Sequence, residues 1–242
     1  MTALDTLPSE ALILAGGLGS RLRKAVPNLP KPLVPVGNRP FLEFLLDYWL
    51  EQGIGRFVLS VGYLAECIME HFGIGYHSAV IDYVRENEPL GTGGALALAL
   101  QSVRWKDSHI LLLNGDTWLN ISLARFAAAT DASLPVNMLL TKVAHNDRYG
   151  GVELDALGKV RSFGVPANGD PALINAGCYL LNLDAVRKSL KGFPPKFSLE
   201  NDWLLQLAEQ GMVGADVQTA DFIDIGVEED YRHFCRQHYN IV

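Results

Sequence analysis

The stretch Ala11-Leu12-Ile13-Leu14-Ala15-Gly16-Gly17-Leu18-Gly19-Ser20-Arg21 decides how this chain folds. Its five apolar residues read as a buried strand, and the glycines after them as the turn that ends it. Glycine lets backbone N–H groups close on an anion with no Cβ in the way. Arg21 stands beyond the turn, and Lys31 follows ten residues later in Pro30-Lys31-Pro32. Both side chains are permanent cations suited to phosphate oxygens. A strand, a glycine turn and two fixed cations describe a phosphate site built for a nucleotide.

Neither common phosphate motif accounts for this stretch. No Gly-x-x-x-x-Gly-Lys-Ser/Thr run occurs anywhere in the chain, which argues against a P-loop. Gly17-x-Gly19 starts like a dinucleotide fingerprint, but the third glycine place holds Leu22. Taken alone, these glycines also suit an ordinary tight turn. The following residues favour function. Residues 16–39 lack clear periodicity and carry Pro27, Pro30, Pro32 and Pro35. A loop of that length is usually functional or disordered, and prolines hold it stiff. A stiff loop carrying Lys31 suits positioning.

Outward from this stretch, strands and helices alternate. Strands are expected at Ala11–Ala15, Phe57–Val61, Ala79–Val84, His109–Leu113 and Val136–Thr141, and helices at Pro40–Gln52, Ala65–Phe72, Gly94–Val103 and Leu123–Ala129. Continuous apolar strands between helices imply a parallel sheet covered on both faces. After residue 145 the texture shifts. Gly151–Leu154, Lys159–Phe163, Ile174–Leu181, Val213–Val217 and Asp221–Ile225 read as strands. Val186–Leu190, Leu199–Glu209 and Glu229–Gln237 read as helices. The expectation is α/β: one Rossmann-like three-layer domain over 1–242 with a mainly parallel central sheet. Residues 1–145 form its nucleotide half and 146–242 its sugar-phosphate half. Ligands in such sheets sit beyond the carboxyl ends of the strands, where the Gly16 turn and Asp116 both fall.

Composition narrows the classes. The net charge is −7 with no basic block, so nucleic acid is not an expected partner. The longest apolar run, Ala95–Leu100, falls short of the ~20 residues that span a membrane. Met1–Glu10 has neither a basic segment nor an apolar signal core, which points to the cytoplasm. Cys67, Cys178 and Cys235 form no pair by spacing and read as packing residues. No histidine lies in a catalytic motif. Asp116 follows an apolar strand and a glycine, and Asp224 repeats the pattern in Phe222-Ile223-Asp224-Ile225-Gly226. Alone, each could cap a turn. Two such carboxylates beside a phosphate loop favour Mg²⁺, which takes one or two carboxylates and fills its shell with phosphate and water. Glu86 and Glu88 precede Pro89-Leu90-Gly91-Thr92-Gly93-Gly94. A carboxylate can accept guanine's adjacent N1–H and N2–H donors, whereas uracil and thymine flank one donor with acceptors. A solvated loop glutamate accounts equally well for either residue.

Gly16-Gly17-Leu18-Gly19-Ser20-Arg21 with Pro30-Lys31-Pro32 resembles the N-terminal motif of the sugar-1-phosphate nucleotidyltransferases, and the likeness extends along nearly the whole chain. Pro30–Val36 followed by Arg39-Pro40-Phe41-Leu42-Glu43 is especially similar to the D-glycero-D-manno-heptose 1-phosphate guanylyltransferases. The resemblance implies a GT-A-like fold and a Mg²⁺-dependent reaction of GTP with a sugar 1-phosphate. An oxygen of the sugar phosphate attacks the α-phosphorus and pyrophosphate leaves. The nucleophile is already anionic, so positioning and charge neutralisation carry catalysis. It implies that Arg21 and Lys31 grip the triphosphate and that Asp116 and Asp224 hold the metal. Ala15, Gly16, Gly17, Gly19, Ser20, Glu86, Gly91, Thr92 and Gly93 would meet the nucleotide. Gly150, Asn175, Gly177 and Glu200 would meet the sugar; as isolated residues they could equally cap turns or helices.

One departure stands out. Many family members carry a Glu-Lys-Pro segment just after the strand matching Lys159–Phe163, and its lysine binds the sugar's phosphate, but this chain reads Ser162-Phe163-Gly164-Val165-Pro166. Lys142 or Arg161 is the expected substitute, unless the acceptor is held loosely or differs. Competing expectations are a mannose or hexose 1-phosphate transferase using GTP, CTP, UTP or dTTP, and an inactive nucleotide-sugar sensor. A nicotinamide enzyme is a further alternative, disfavoured by Leu22. No hexapeptide-repeat segment announces a trimer, and a homo-oligomer stays open.

Overall fold

A computed structural model describes residues 4, 6–17, 22, 28–144, 146, 148–165 and 171–239. Strand β1 (Glu10–Leu14) is followed by a 3-10 turn at Lys31–Leu33 and a short ribbon of β2 (Pro35–Val36) and β3 (Arg39–Pro40). Next come α1 (Phe41–Glu51), β4 (Arg56–Val61), α2 (Ala65–Phe72), β5 (Gly75–Tyr76), β6 (Ala79–Arg85), α3 (Gly91–Ser102) and β7 (His109–Asn114). Then follow β8 (Thr117–Leu119), α4 (Leu123–Ala129), β9 (Val136–Val143), β10 (Gly151–Leu154), β11 (Val160–Val165), β12 (Ala172–Asn182) and α5 (Leu183–Ser189). A π-helical stretch at Leu199–Leu204 continues as α6 (Leu205–Glu209), before β13 (Val213–Val217), β14 (Phe222–Asp224) and α7 (Glu228–His238).

The main sheet runs β11-β10-β12-β7-β1-β4-β6-β5, with β9 pairing β12 and β13 off this path. Its centre, β7-β1-β4-β6, is parallel, as the apolar runs predict. The sheet as a whole is mixed, because β12 returns antiparallel to both β7 and β9. Successive side chains of β1 go to opposite faces. Ala11 and Ile13 join a core with Leu46 and Trp49 of α1, Ile68 of α2 and Phe126 of α4. Leu12 joins a core with Leu96 and Ala99 of α3, Val186 of α5 and Leu207 of α6. Helices therefore cover both faces, giving three layers.

A third, smaller core bears directly on the site. Leu22, Val34, Val36, Phe41, Ile223, Ile225 and Phe234 pack together. Each aliphatic or aromatic side chain so buried contributes roughly 1.5–3 kcal/mol. This cluster fastens the proline-bearing loop to β14 and α7 on either side of Lys31. Among the described residues, no helix is long and apolar enough to cross a membrane.

Three local features differ from the sequence expectation. Helix α3 begins at Gly91, not Gly94, because the N–H groups of Gly93 and Gly94 find an acceptor in the Phe197 carbonyl at 3.1 and 3.3 Å. Helix α5 begins at Leu183, where the Asn182 side chain accepts from the Ala185 N–H at 3.1 Å. The three-residue strands β8 and β14 pair antiparallel, Thr117 facing Asp224, which sequence periodicity does not reveal.

Candidate active site

Three central strands end in glycine at one edge of the sheet. At Gly16, a Cβ would lie 2.6 Å from Glu86 Oε1 and 3.2 Å from the Gly62 nitrogen. At Gly62, it would lie 3.1 Å from the Gly16 oxygen, and at Gly115, 2.6 Å from the Leu14 oxygen. The backbones after β1, β4 and β7 touch here, and no side chain fits between them. The Ala15 N–H donates to the Ser60 carbonyl at 2.8 Å, and the Gly115 N–H to the Leu14 carbonyl at 3.0 Å.

A cleft of about 550 Å³ opens above this edge, lined by residues from Leu14, the Gly16–Gly17 turn, Gly62–Tyr63, Arg85–Pro89, the start of α3, and Asn114 and Asp116. Gly16, Gly17, Glu86, Gly91, Thr92 and Asp116 all line it, as does Glu88. Ala15 is buried behind the turn, and Gly93 is buried against the Phe197 ring, 2.2 Å from where its Cβ would stand. Glu86 is half-buried. Its Oε2 accepts from the Leu90 N–H at 3.1 Å and its Oε1 from the Ser60 hydroxyl at 3.3 Å. Gly19, Ser20 and Arg21 lie outside the described residues.

Asp116 and Asp224 arrive from separate strands and meet at one cation. The Lys31 ammonium lies 2.5 Å from Asp116 Oδ2 and 3.4 Å from Asp224 Oδ1. Lys31 is only 11% exposed, against 36% for Asp116 and 22% for Asp224. Pairing of β8 with β14 sets the two carboxylates side by side, and the Ile225 N–H donates to the Asp116 carbonyl at 3.0 Å. The Gly226 N–H fixes Asp224 Oδ1 at 2.7 Å. A Cβ on Gly226 would lie 2.8 Å from that oxygen and 3.0 Å from Lys31 Nζ, so any larger residue must displace one of these two side-chain ends. Lys31 balances the charge of the two carboxylates, whose oxygens are the hard donor type that Mg²⁺ takes one or two of. Among the described residues, no group of three or more His, Cys, Asp or Glu side chains is placed to hold a metal. A metal here would draw most of its shell from phosphate and water.

Of the residues expected on the sugar side, Asn175 and Gly177 lie in the bulged region of β12. Pairing with β9 shifts register between Asn175 and Tyr179. Asn175 Oδ1 accepts from the Gly177 N–H at 2.9 Å, and its amide donates to the Tyr179 hydroxyl at 2.7 Å. Gly177 has φ +68°, and a Cβ there would lie 2.6 Å from Asn114 Nδ2. That contact ties the bulge to the cleft wall. Glu200 is the second residue of the π-helical stretch, where its Oε2 accepts from the Thr92 hydroxyl at 2.8 Å and the Ser198 hydroxyl at 3.2 Å. Gly150 is exposed, its Cβ position 3.1 Å from Gly164 Cα. Next to it, Tyr149 sits edge-on to Phe222 at 5.3 Å. Burial, with Asp224 nearby, pushes the Tyr149 phenol above its ordinary range against the pull of Arg148. Lys142 and Arg161 are both exposed.

Sequence reasoning missed Gly62, Gly115, Tyr63, Arg85, Asn114 and Gly226. The signal for the first two is the repeated ending of an apolar strand in glycine: Ala15-Gly16, Val61-Gly62 and Asn114-Gly115. Among the described histidines, none lines the cleft.

The family described as nucleotidyl transferase matches residues 10–239. The chain is 37% identical over 225 residues to the D-glycero-alpha-D-manno-heptose 1-phosphate guanylyltransferase of Campylobacter jejuni, covering 93% of this chain and 98% of that protein. It is 36% identical over 233 residues to the enzyme of the same name from Aneurinibacillus thermoaerophilus, covering 95% and 99%. The crystal structure of HddC from Yersinia pseudotuberculosis complexed with GMP-PN matches with a TM-score of 0.82 and 33% identity, over 95% of this chain and 99% of that one.

Proposed function

The chain belongs to the nucleotidyl transferase family, and we propose that it transfers the guanylyl group of GTP to D-glycero-alpha-D-manno-heptose 1-phosphate, yielding a GDP-sugar and pyrophosphate. The observation that carries the chemistry is the convergence of Lys31, Asp116 and Asp224, with Asp116 on the wall of a cleft floored by strand-end glycines. Support for the base and sugar comes from the two heptose 1-phosphate guanylyltransferases, which align over 93% and 95% of the chain.

In this reaction an oxygen of the sugar phosphate bonds to the α-phosphorus as the bond to the bridging oxygen of the β-phosphate breaks. Pyrophosphate carries away the charge. The phosphate oxygen needs no general base, so the protein's work is alignment and neutralisation. The glycine turn lets backbone approach the triphosphate. Lys31, held by its ion pairs to Asp116 and Asp224, supplies positive charge at the reacting phosphates. Asp116 and Asp224 would hold Mg²⁺, which when bound neutralises and orients phosphate oxygens. Glu86 and Glu88 both reach the cleft wall and are the candidates for reading guanine. The product is a donor for glycan assembly, and the use of GTP suits a cytoplasmic setting.

The test crosses GTP, CTP, UTP and dTTP with heptose, mannose and glucose 1-phosphates, reading pyrophosphate in the presence of Mg²⁺. The expected result is turnover centred on GTP with heptose 1-phosphate. Preference for mannose or glucose 1-phosphate would keep the chemistry and overturn the acceptor. No turnover of any pair would overturn the proposal.

A further inference from the structure

Thr92 lines the nucleotide cleft, yet its hydroxyl is spent on the other half of the protein. It accepts from the Leu199 N–H at 2.8 Å and donates to Glu200 Oε2 at 2.8 Å. The Ser198 hydroxyl adds a second donor to the same oxygen at 3.2 Å. One residue upstream, the Phe197 carbonyl receives the N–H groups of Gly93 and Gly94. The segment 197–200 is therefore stitched to the first turn of α3 by both backbone and side-chain bonds. A π-helical opening turn is an unusual conformation, and here Thr92 anchors its first residue.

Glu200 also belongs to the sugar side. Complete burial raises the Tyr179 phenol and the Glu200 charge adds to it, while Tyr179 accepts from the Asn175 amide at 2.7 Å. Asn175 in turn holds the Gly177 N–H in the β12 bulge. Hydrogen bonds thus tie Thr92 to Glu200 on one side and Asn175 to Tyr179 and Gly177 on the other, with the Glu200 charge acting on Tyr179 across the gap.

We propose that Thr92 is a positioning residue for the sugar phosphate rather than a contact for the nucleotide: its hydroxyl sets the orientation of Glu200 for the acceptor. The inference rests on the guanylyltransferase reading above. The half-buried Glu200 accepts both hydroxyl donors at Oε2, and among the described residues no hydrogen bond engages its other oxygen, which a polyol can therefore use. Without Thr92, the Leu199 N–H loses its partner and Glu200 loses its fixed rotamer.

The test is steady-state kinetics of Thr92→Val and Thr92→Ser, using the sugar 1-phosphate that the wild type turns over best, with GTP affinity measured separately by calorimetry. Thr92→Val is expected to raise the KM for sugar phosphate by about tenfold, a loss of ~1.4 kcal/mol, while the GTP Kd moves by less than about twofold. Thr92→Ser restores the hydroxyl and the wild-type KM. Glu200→Gln keeps an acceptor for Thr92 and is expected to raise the same KM, with the double variant no worse than the poorer single one. An unchanged sugar-phosphate KM in Thr92→Val overturns the inference, as does an equal or larger loss of GTP affinity. Absence of turnover in the wild type overturns the functional reading, and the inference with it, so the two failures are distinguishable.

Discussion

Replacing Gly226 with alanine tests how tightly the reaction centre is drawn. The new Cβ would lie 2.8 Å from Asp224 Oδ1, 3.2 Å from Asp224 Oδ2 and 3.0 Å from Lys31 Nζ. Ordinary contact begins at 3.4 Å. The Asp224 carboxylate must therefore retreat by roughly half an ångström, and the ammonium shift with it; displacement by about 1 Å near a reacting centre costs on the order of 100-fold in rate. The backbone at Gly226 is outside the left-handed region, so alanine is conformationally acceptable there. Overpacking of a buried site typically costs about 1–3 kcal/mol, or roughly 2–10 °C in Tm for a chain of this size. The variant is expected to fold, but to lose about 10–100-fold in kcat/KM, equivalent to ~1.4–2.7 kcal/mol of barrier. The assay is Mg²⁺-dependent pyrophosphate release at 25 °C, with a melting curve alongside. Activity within about threefold of wild type, under ~0.7 kcal/mol, would refute the claim that the Lys31–Asp224 spacing is set by the missing Cβ.

Three further outcomes follow from the same geometry. Asp116→Asn and Lys31→Ala each remove half of an ion pair at the cleft wall, and turnover is expected to fall by at least about 100-fold with the fold retained; a variant keeping a tenth of the wild-type rate would remove that residue from the centre. Gly16→Ala drives a Cβ against Glu86 and the Gly62 backbone, and the Kd for GTP is expected to rise by about tenfold; unchanged GTP affinity would mean that the glycine corner serves packing alone. Cys178 is fully buried, and burial pushes its thiol far up, so alkylation of the native protein at pH 8 is expected at the half-buried Cys67 and Cys235 before Cys178; peptide mapping that finds Cys178 modified first would contradict the core as described.

Much of this architecture is legible in the residues because short-range patterns decide it. The short apolar run bounded by Gly16 reads as a buried strand, and its successive residues Ala11, Leu12 and Ile13 alternate between opposite cores as a doubly covered sheet requires. Asp116 and Asp224 can each be singled out because a carboxylate after an apolar strand is unusual. Their meeting is another matter. It depends on the pairing of β14 with β8, which is too short to carry a period, and on the core around Phe234 that joins Val34 of the Lys31 loop to Ile223 and Ile225. The start of α3 is hidden for a similar reason. Gly-Thr-Gly-Gly has little helical propensity, and the Phe197 carbonyl that accepts from its N–H groups arrives from far along the chain. The antiparallel return of β12 leaves no mark on its composition either, since a central strand buried on both faces is apolar in either direction.

The central claim is that the cleft transfers a nucleotidyl group by attack at the α-phosphorus. Incubating the protein with Mg²⁺, heptose 1-phosphate and GTP labelled at the α-phosphorus tests it most directly. The account predicts that the label appears in a GDP-sugar while unlabelled pyrophosphate is released. Label retained in free GDP, with orthophosphate as the other product, would contradict it.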